Sequence, residues 1–126
     1  MTTRRKLVVG LAGLGAGLAL AKQSKAQAGP MVGVSPTMLE GHGFDLTDSA
    51  VTTVSGGTPP YTYLWEHVSG TAYVLANNPA GSSTNFYWDG PWSYPAKISR
   101  WRCRVTDAAS AVGYSPTVSI FFDPAG

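Results

Sequence analysis

Cysteine, histidine and charged residues are scarce in this chain of 126 residues, which has one cysteine and only 13% charged residues. The single Cys103 excludes an internal disulfide and a zinc site built on several thiolates. The two histidines, His42 and His67, have no second histidine or cysteine at metal-ligand spacing. The sequence also lacks a Gly-x-Ser-x-Gly motif and a phosphate-binding glycine loop. We therefore expect no catalytic residues, no bound metal and no cofactor.

The charged residues that are present are unevenly distributed. Positions 1–28 contain five basic residues and no acidic residue. From Gly29 onward, four basic residues accompany seven acidic ones, which gives this part a net charge of −3. A weakly acidic body of this kind is not expected to bind nucleic acid as its main partner.

Residues 1–28 have the pattern of an export signal. A basic start at residues 4–6 precedes 15 uncharged, mostly apolar residues (7–21), and Ala-Gln-Ala at 26–28 supplies the small residues typical of a cleavage site. The paired arginines resemble a twin-arginine signal, although Leu7 replaces the phenylalanine of its consensus. The apolar run is shorter than the roughly 20 residues that a permanent spanning helix needs.

A retained N-terminal arm is the alternative to a cleaved signal. Gly13 and Gly17 form a pair of small residues four positions apart, which favours close packing against another helix or within a membrane. Any membrane contact is then expected only through residues 7–21.

The body of the chain has the pattern of short β-strands separated by Gly and Pro turns, with no helical periodicity. We predict a linker and a first edge strand in residues 29–49, and a sandwich domain in residues 50–126. Within residues 97–106, Ser, Trp, Cys and Val at odd positions alternate with arginines at even positions, so one face is apolar and the other basic. Further strands are predicted at 31–34, 51–54, 61–68, 73–75, 84–88 and 117–122.

Two segments of the body are similar to known domains. Residues 56–65 read Gly-Gly-Thr-Pro-Pro-Tyr-Thr-Tyr-Leu-Trp and precede Val-Ser-Gly at 68–70, and residues 103–107 read Cys-Arg-Val-Thr-Asp. With these motifs, residues 50–122 resemble the immunoglobulin-like (Ig-like) and PKD-like repeats of bacterial surface proteins and tailed-phage virion proteins. The resemblance implies an all-β fold, an antiparallel Ig-like sandwich of about seven strands, here preceded by an apolar N-terminal segment.

The resemblance also assigns structural roles. Trp65 takes the place of the buried tryptophan on the third strand, and Cys103 that of the cysteine on the sixth strand. The second strand has no cysteine at residues 51–54, so the usual disulfide is missing and packing around Trp65 has to replace it. The expected core residues are Tyr63, Trp65, Trp101, Cys103 and Val105.

Two surfaces are candidates for binding. Trp92 and Tyr94 lie in a segment rich in Gly, Pro and Ser, and with Tyr87 they form a possible aromatic contact surface. The alternative is that these rings fold back over the end of the sandwich. Arg100, Arg102 and Arg104 form a second, basic row, which either binds an anionic partner or keeps an exposed strand face soluble.

Three classes of function are compatible with these features. The sequences of the motifs favour a non-catalytic structural or contact protein on the exterior of a phage virion, as decoration of a tail or capsid. The alternatives are an adhesion module exported to the periplasm or cell surface, and a carbohydrate-binding module built around Trp92 and Tyr94. The expected partners are proteins (virion subunits or surface proteins) or glycans, within an oligomeric assembly.

Overall fold

The computed structural model describes residues 29–125, and all regular secondary structure in this range is β. Ten short strands follow one another along the chain, and the longest, β8, has ten residues. The strands are β1 (Met31–Ser35), β2 (Met38–His42), β3 (Ala50–Ser55), β4 (Thr62–Gly70), β5 (Val74–Ala76), β6 (Ser83–Thr84), β7 (Phe86–Trp88), β8 (Lys97–Thr106), β9 (Val112–Tyr114) and β10 (Val118–Asp123).

The strands form two layers. A five-stranded sheet has the order β2-β10-β8-β4, and β9 pairs with the C-terminal part of β8. The second layer consists of a three-stranded sheet, β1-β3-β6, and a two-stranded sheet, β5-β7. Neighbouring strands are antiparallel except for β2 and β10, which run parallel. The predicted all-β sandwich is therefore confirmed.

The core forms where the alternating strand faces meet. The odd-numbered residues of β8 from Ser99 to Val105 and the even-numbered residues of β10 are buried, as a two-residue period requires. Aromatic rings connect the layers. The ring centroid of Phe86 lies 6.0 Å from that of Trp65 and 5.5 Å from that of Trp101, and the ring centroid of Trp88 lies 6.0 Å from that of Phe122. This packing supplies the stability that a disulfide provides in many Ig-like domains.

The strand count exceeds the predicted seven because strands are interrupted. Pro36 separates β1 from β2, and Pro116 lies between β9 and β10. Proline has no N–H to donate to a ladder, so pairing stops at these positions. At Pro36 the chain also changes layers, since β1 pairs with β3 and β2 pairs with β10. Residues 29–49 thus contribute two edge strands, one to each layer, whereas a single edge strand was predicted for this interval.

The strands of the structure differ from the predicted ones at two further places. The strand predicted at residues 61–68 stops before Ser69, but β4 continues through Ser69 and Gly70 with a bulge between His67 and Ser69. Gly70 has a φ of 85°, and a Cβ there would overlap the carbonyl oxygen of Ile98, so the bulge requires glycine. The short strand β9 was not predicted at all, because Val-Gly-Tyr gives almost no periodic signal.

The prediction of an export signal or arm concerns residues 1–28, which lie outside the described residues. Within residues 29–125, no helix is long and apolar enough to cross a membrane.

Candidate contact surface

The core residues assigned from the sequence lie together between the layers. Trp65 on β4 is the register partner of Cys103 on β8, and Tyr63 is the partner of Val105. Trp65, Trp101, Cys103 and Val105 are buried, whereas Tyr63 is half-buried at the edge of the core. These residues therefore support the fold, and the four buried ones are not available to a partner.

Trp65 is fixed by polar as well as apolar contacts. Its indole is 3% exposed and meets the ring of Phe86 edge-on. Its Nε1–H donates to the carbonyl of Gly81 at 2.9 Å, and its backbone N–H donates to the carbonyl of Pro79 at 2.8 Å. The loop at residues 77–82 is thereby attached to β4, and the buried indole N–H has the partner that burial requires.

Cys103 is a free thiol in the middle of the core. Burial raises the pKa of this thiol to about 11, and Glu66 nearby adds to the increase against the opposing hydrogen bond from Leu64. A thiol with so high a pKa is almost entirely protonated at neutral pH, so Cys103 is a small core residue and a poor nucleophile.

The two loop aromatics that were grouped in the sequence analysis have different environments. Tyr94 folds back: its ring lies 5.2 Å from that of Tyr73 and 5.8 Å from that of Trp88, and it packs against the core. Trp92 does not fold back and is 66% exposed. The segment between β7 and β8 therefore provides one exposed aromatic side chain, and Tyr94 belongs to its support.

Hydrogen bonds hold the backbone on both sides of Trp92. The Nε1–H of buried Trp88 donates to the carbonyl of Pro91 at 3.0 Å, and the N–H of Tyr94 donates to the same carbonyl at 3.2 Å. The N–H of Asp89 donates to the carbonyl of Tyr73 at 2.7 Å. Trp92 thus projects from a tight turn whose ends are anchored in the core. We call residues 89–96 the Trp92 loop.

Tyr87, the third aromatic of the predicted surface, lies on β7 and not in the Trp92 loop. It is half-buried and has the opposite parity to Phe86 and Trp88, which are buried. Its register partner is Leu75 on β5. Tyr87 therefore faces away from the core on the second layer.

The arginine row is partly neutralised. On the outer face of the five-stranded sheet, Arg102 Nε lies 3.3 Å from one carboxylate oxygen of Glu66, and Arg104 Nε lies 3.5 Å from the other. The guanidinium of Arg102 also stacks 4.0 Å above the ring of Tyr114. Of the three arginines in the row, only Arg100 forms no ion pair within residues 29–125. The row therefore does not offer three free guanidinium groups to an anion.

The contact of Glu66 with the arginine row was not predicted from the sequence. Glu66 has the opposite parity to Trp65, so an outward direction was predictable, but its position opposite Arg102 depends on the β4–β8 register. The same face carries an apolar groove that was also not predicted, lined by Met38, Ile98 and Phe121 with Glu40 and Ser119. Each of these residues is unremarkable in its own segment, and only strand pairing brings them together.

Residues 29–125 contain no group of three or more His, Cys, Asp or Glu side chains that could hold a metal ion.

Comparison with known proteins shows the fold alone. No protein-family profile matches the chain, and no curated protein matches it. Among solved structures, it is similar to the PKD domain of human KIAA0319, with a TM-score of 0.57 and 16% identity over 87% of this chain and 95% of that one. The chain therefore has a PKD-like, Ig-like fold.

A second similar structure contains the fold as one part of a larger protein. This is a nucleoside hydrolase-related hypothetical protein from Saccharophagus degradans that is associated with carbohydrate metabolism. The TM-score is 0.54 and the identity 15%, over 77% of this chain but only 26% of that one. The same fold thus occurs both as an isolated domain structure and within a longer chain.

Proposed function

We propose that this chain is a non-catalytic contact module, displayed on the exterior of a tailed-phage virion, whose Trp92 loop binds a protein of the particle or of the host surface. The observation that supports this proposal is an exposed tryptophan on a loop that is anchored in the core on both sides. Tryptophan is the side chain most enriched among residues that dominate binding energy in protein interfaces.

The geometry of the loop makes Trp92 an effective anchor. With 66% of its surface exposed, the side chain offers a partner on the order of 150 Å² to cover. Covering that area is worth roughly 3–4 kcal/mol at about 25 cal/mol per Å². Because the bonds to Pro91 already fix the loop, little of this energy is lost in ordering the backbone when a partner binds.

The virion setting is supported by the resemblance of residues 56–65, 68–70 and 103–107 to phage Ig-like domains. Ig-like domains occur in many proteins, so the fold does not choose the setting by itself. The alternative, an exported adhesion or carbohydrate-binding module, is favoured by the signal-like pattern of residues 1–28. In that setting the same Trp92 loop would contact a glycan or a cell-surface protein.

Intact-mass measurement on the chain from its native source distinguishes the two settings. We expect the full-length chain, with residues 1–28 retained, to be a stoichiometric component of purified particles. A chain that begins near residue 29 and is recovered from the periplasm or cell surface, with none in particles, would contradict the virion setting and support export.

A further inference from the structure

The outer face of the five-stranded sheet carries an apolar groove that the Trp92 loop does not explain. The groove has a volume of about 300 Å³ and is lined by Met38 and Glu40 of β2, Ile98 of β8, and Ser119 and Phe121 of β10. Met38 is 69% exposed and Phe121 is 44% exposed. Outward positions on an exposed sheet are normally polar, so adjacent apolar side chains here indicate a contact surface.

Strand register shows that this groove is one continuous patch. Phe121 lies directly between Glu40 on β2 and Ile98 on β8, and Ser119 lies between Met38 and Arg100. Three apolar side chains from three adjacent strands therefore surround one small serine. The depression over Ser119 can accept an apolar side chain from a partner.

Two free charges of opposite sign flank the groove. Glu40 on β2 and Arg100 on β8 are both exposed, and neither takes part in an ion pair within residues 29–125, unlike Arg102 and Arg104, which share Glu66. The two residues are separated by two strand spacings and two residues of rise, so their backbones are about 12 Å apart. They therefore occupy diagonally opposite corners of the patch.

We infer that this face binds a second copy of the chain through a twofold symmetric contact. A twofold axis in the plane of the interface, which passes midway between Glu40 and Arg100 and is perpendicular to the line joining them, exchanges the two corners. Each Glu40 then faces Arg100 of the other copy, which makes two identical ion pairs, and the apolar side chains meet between them. A surface that is complementary to itself in this way is what an isologous contact needs.

The contact is of modest size. A patch of five lining residues is smaller than the 20–30 residues per side of a standard stable interface. We therefore expect a reversible dimer whose dissociation constant lies in the micromolar-to-millimolar range. This inference does not rest on the proposed binding through Trp92. The two surfaces use different residues and can be disabled separately.

Paired charge reversal in the full-length chain tests the inference. Glu40→Arg gives a copy with two positive corners, and Arg100→Glu gives a copy with two negative corners. We expect each variant alone to self-associate at least about tenfold more weakly than the unmodified chain, because like charges then face each other. An equal mixture of the two variants regains association, since every corner again meets the opposite charge. The double variant with both reversals regains self-association.

Sedimentation or light scattering over a concentration series measures the association, and differently tagged copies identify which chains pair. Asp48→Arg changes the net charge by the same amount as Glu40→Arg, but on an exposed loop. It is the matched control for that variant, and we expect it to leave self-association unchanged. Phe121→Ser, which removes apolar contact without adding charge, weakens association in every pairing. Trp92→Ala leaves association unchanged, which separates this contact from the proposed function.

Two results would overturn the inference. One is an unmodified chain that stays monomeric at millimolar concentration, including the case in which its own residues 7–21 cover the groove. The other is equal association in all pairings of the charge variants, because contact through a different region would not distinguish them.

Discussion

The backbone N–H of Thr58 donates a hydrogen bond of 2.9 Å to Oδ2 of Asp107, which joins two turns 49 residues apart. The other carboxylate oxygen of Asp107 accepts from the N–H groups of Ala109 and Ala111, at 2.9 and 2.8 Å. Gly57 fits beside this carboxylate with a φ of 68°, a conformation that favours glycine. The Gly-Gly motif and the Val-Thr-Asp motif, quoted separately in the sequence, thus form one structural unit.

Low pH should weaken the hydrogen bonds by which Asp107 joins the two turns, and so destabilise the fold. The N–H donor of Thr58, followed by those of Ala111 and Ala109, holds the pKa of Asp107 below its ordinary value. A carboxyl group whose folded pKa is lowered contributes its full stability above the unfolded pKa of about 3.9, and loses it as the pH falls through the folded pKa. We expect the free energy of unfolding of the unmodified chain to decrease more steeply below about pH 4 than that of Asp107→Asn. Denaturant titrations over a pH series measure this difference, and parallel curves would contradict the assignment.

Truncation of Trp65 should strongly destabilise the core. Trp65→Ala removes a buried ring that packs on Phe86 and leaves the carbonyl of Gly81 without its donor. We expect a loss of roughly 3–5 kcal/mol in the free energy of unfolding, as for other large core truncations. Trp65→Phe keeps most of the volume and is the matched control. A loss below about 1 kcal/mol for the alanine variant, typical of surface sites, would refute the central role of Trp65.

Cys103 should react slowly with thiol reagents in the folded state. The side chain is fully buried, and burial raises its pKa to about 11, so both access and thiolate formation are suppressed. Labelling kinetics followed by mass spectrometry, in buffer and in denaturant, measure the difference. Equal rates in the two conditions would show that the thiol is accessible in the native protein.

Strand faces were predictable from this sequence, whereas strand partners were not. The two-residue period of residues 97–106 fixes which side chains of β8 are buried without any knowledge of the neighbours. The position of Glu66 opposite Arg102, or of Phe121 between Glu40 and Ile98, depends on register, which results from packing across the whole sheet.

The positions of the aromatic rings in the Trp92 loop also depend on packing and were not predictable from the sequence. Composition placed Trp92 and Tyr94 in one loop but could not decide which ring enters the core. That choice depends on the space beside Tyr73 and Trp88, which only the folded chain defines. Both outcomes are therefore compatible with the sequence, and in the structure Tyr94 packs inward while Trp92 is exposed.

Tyr94 should matter for both stability and binding, because it supports the Trp92 loop. Tyr94→Ala removes ring contacts with Tyr73 and Trp88 and the ring over which Lys97 Nζ lies at 5.6 Å. We expect a lower melting temperature together with weaker partner binding. Tyr94→Phe keeps the packing and should retain both properties. Unchanged stability in Tyr94→Ala would mean that the ring does not support the loop.

Trp92, rather than the arginine row, should carry the main contact with a partner. Trp92→Ala is expected to cost at least ~2 kcal/mol of binding, about 30-fold in affinity, with no change in melting temperature because the side chain is exposed. Arg102→Ala should cost less binding, since its guanidinium already pairs with Glu66 and stacks on Tyr114 and is therefore less available to a partner.

The two variants are best compared side by side in particle assembly, cell adhesion and glycan-array binding. The assay in which only Trp92→Ala loses binding also identifies the class of partner: a particle protein, a host-surface protein or a glycan. The opposite pattern, in which Arg102→Ala abolishes binding and Trp92→Ala has no effect, would show that the contact is electrostatic. The binding site would then be the outer face of the five-stranded sheet, and the Trp92 loop would be excluded as the contact surface.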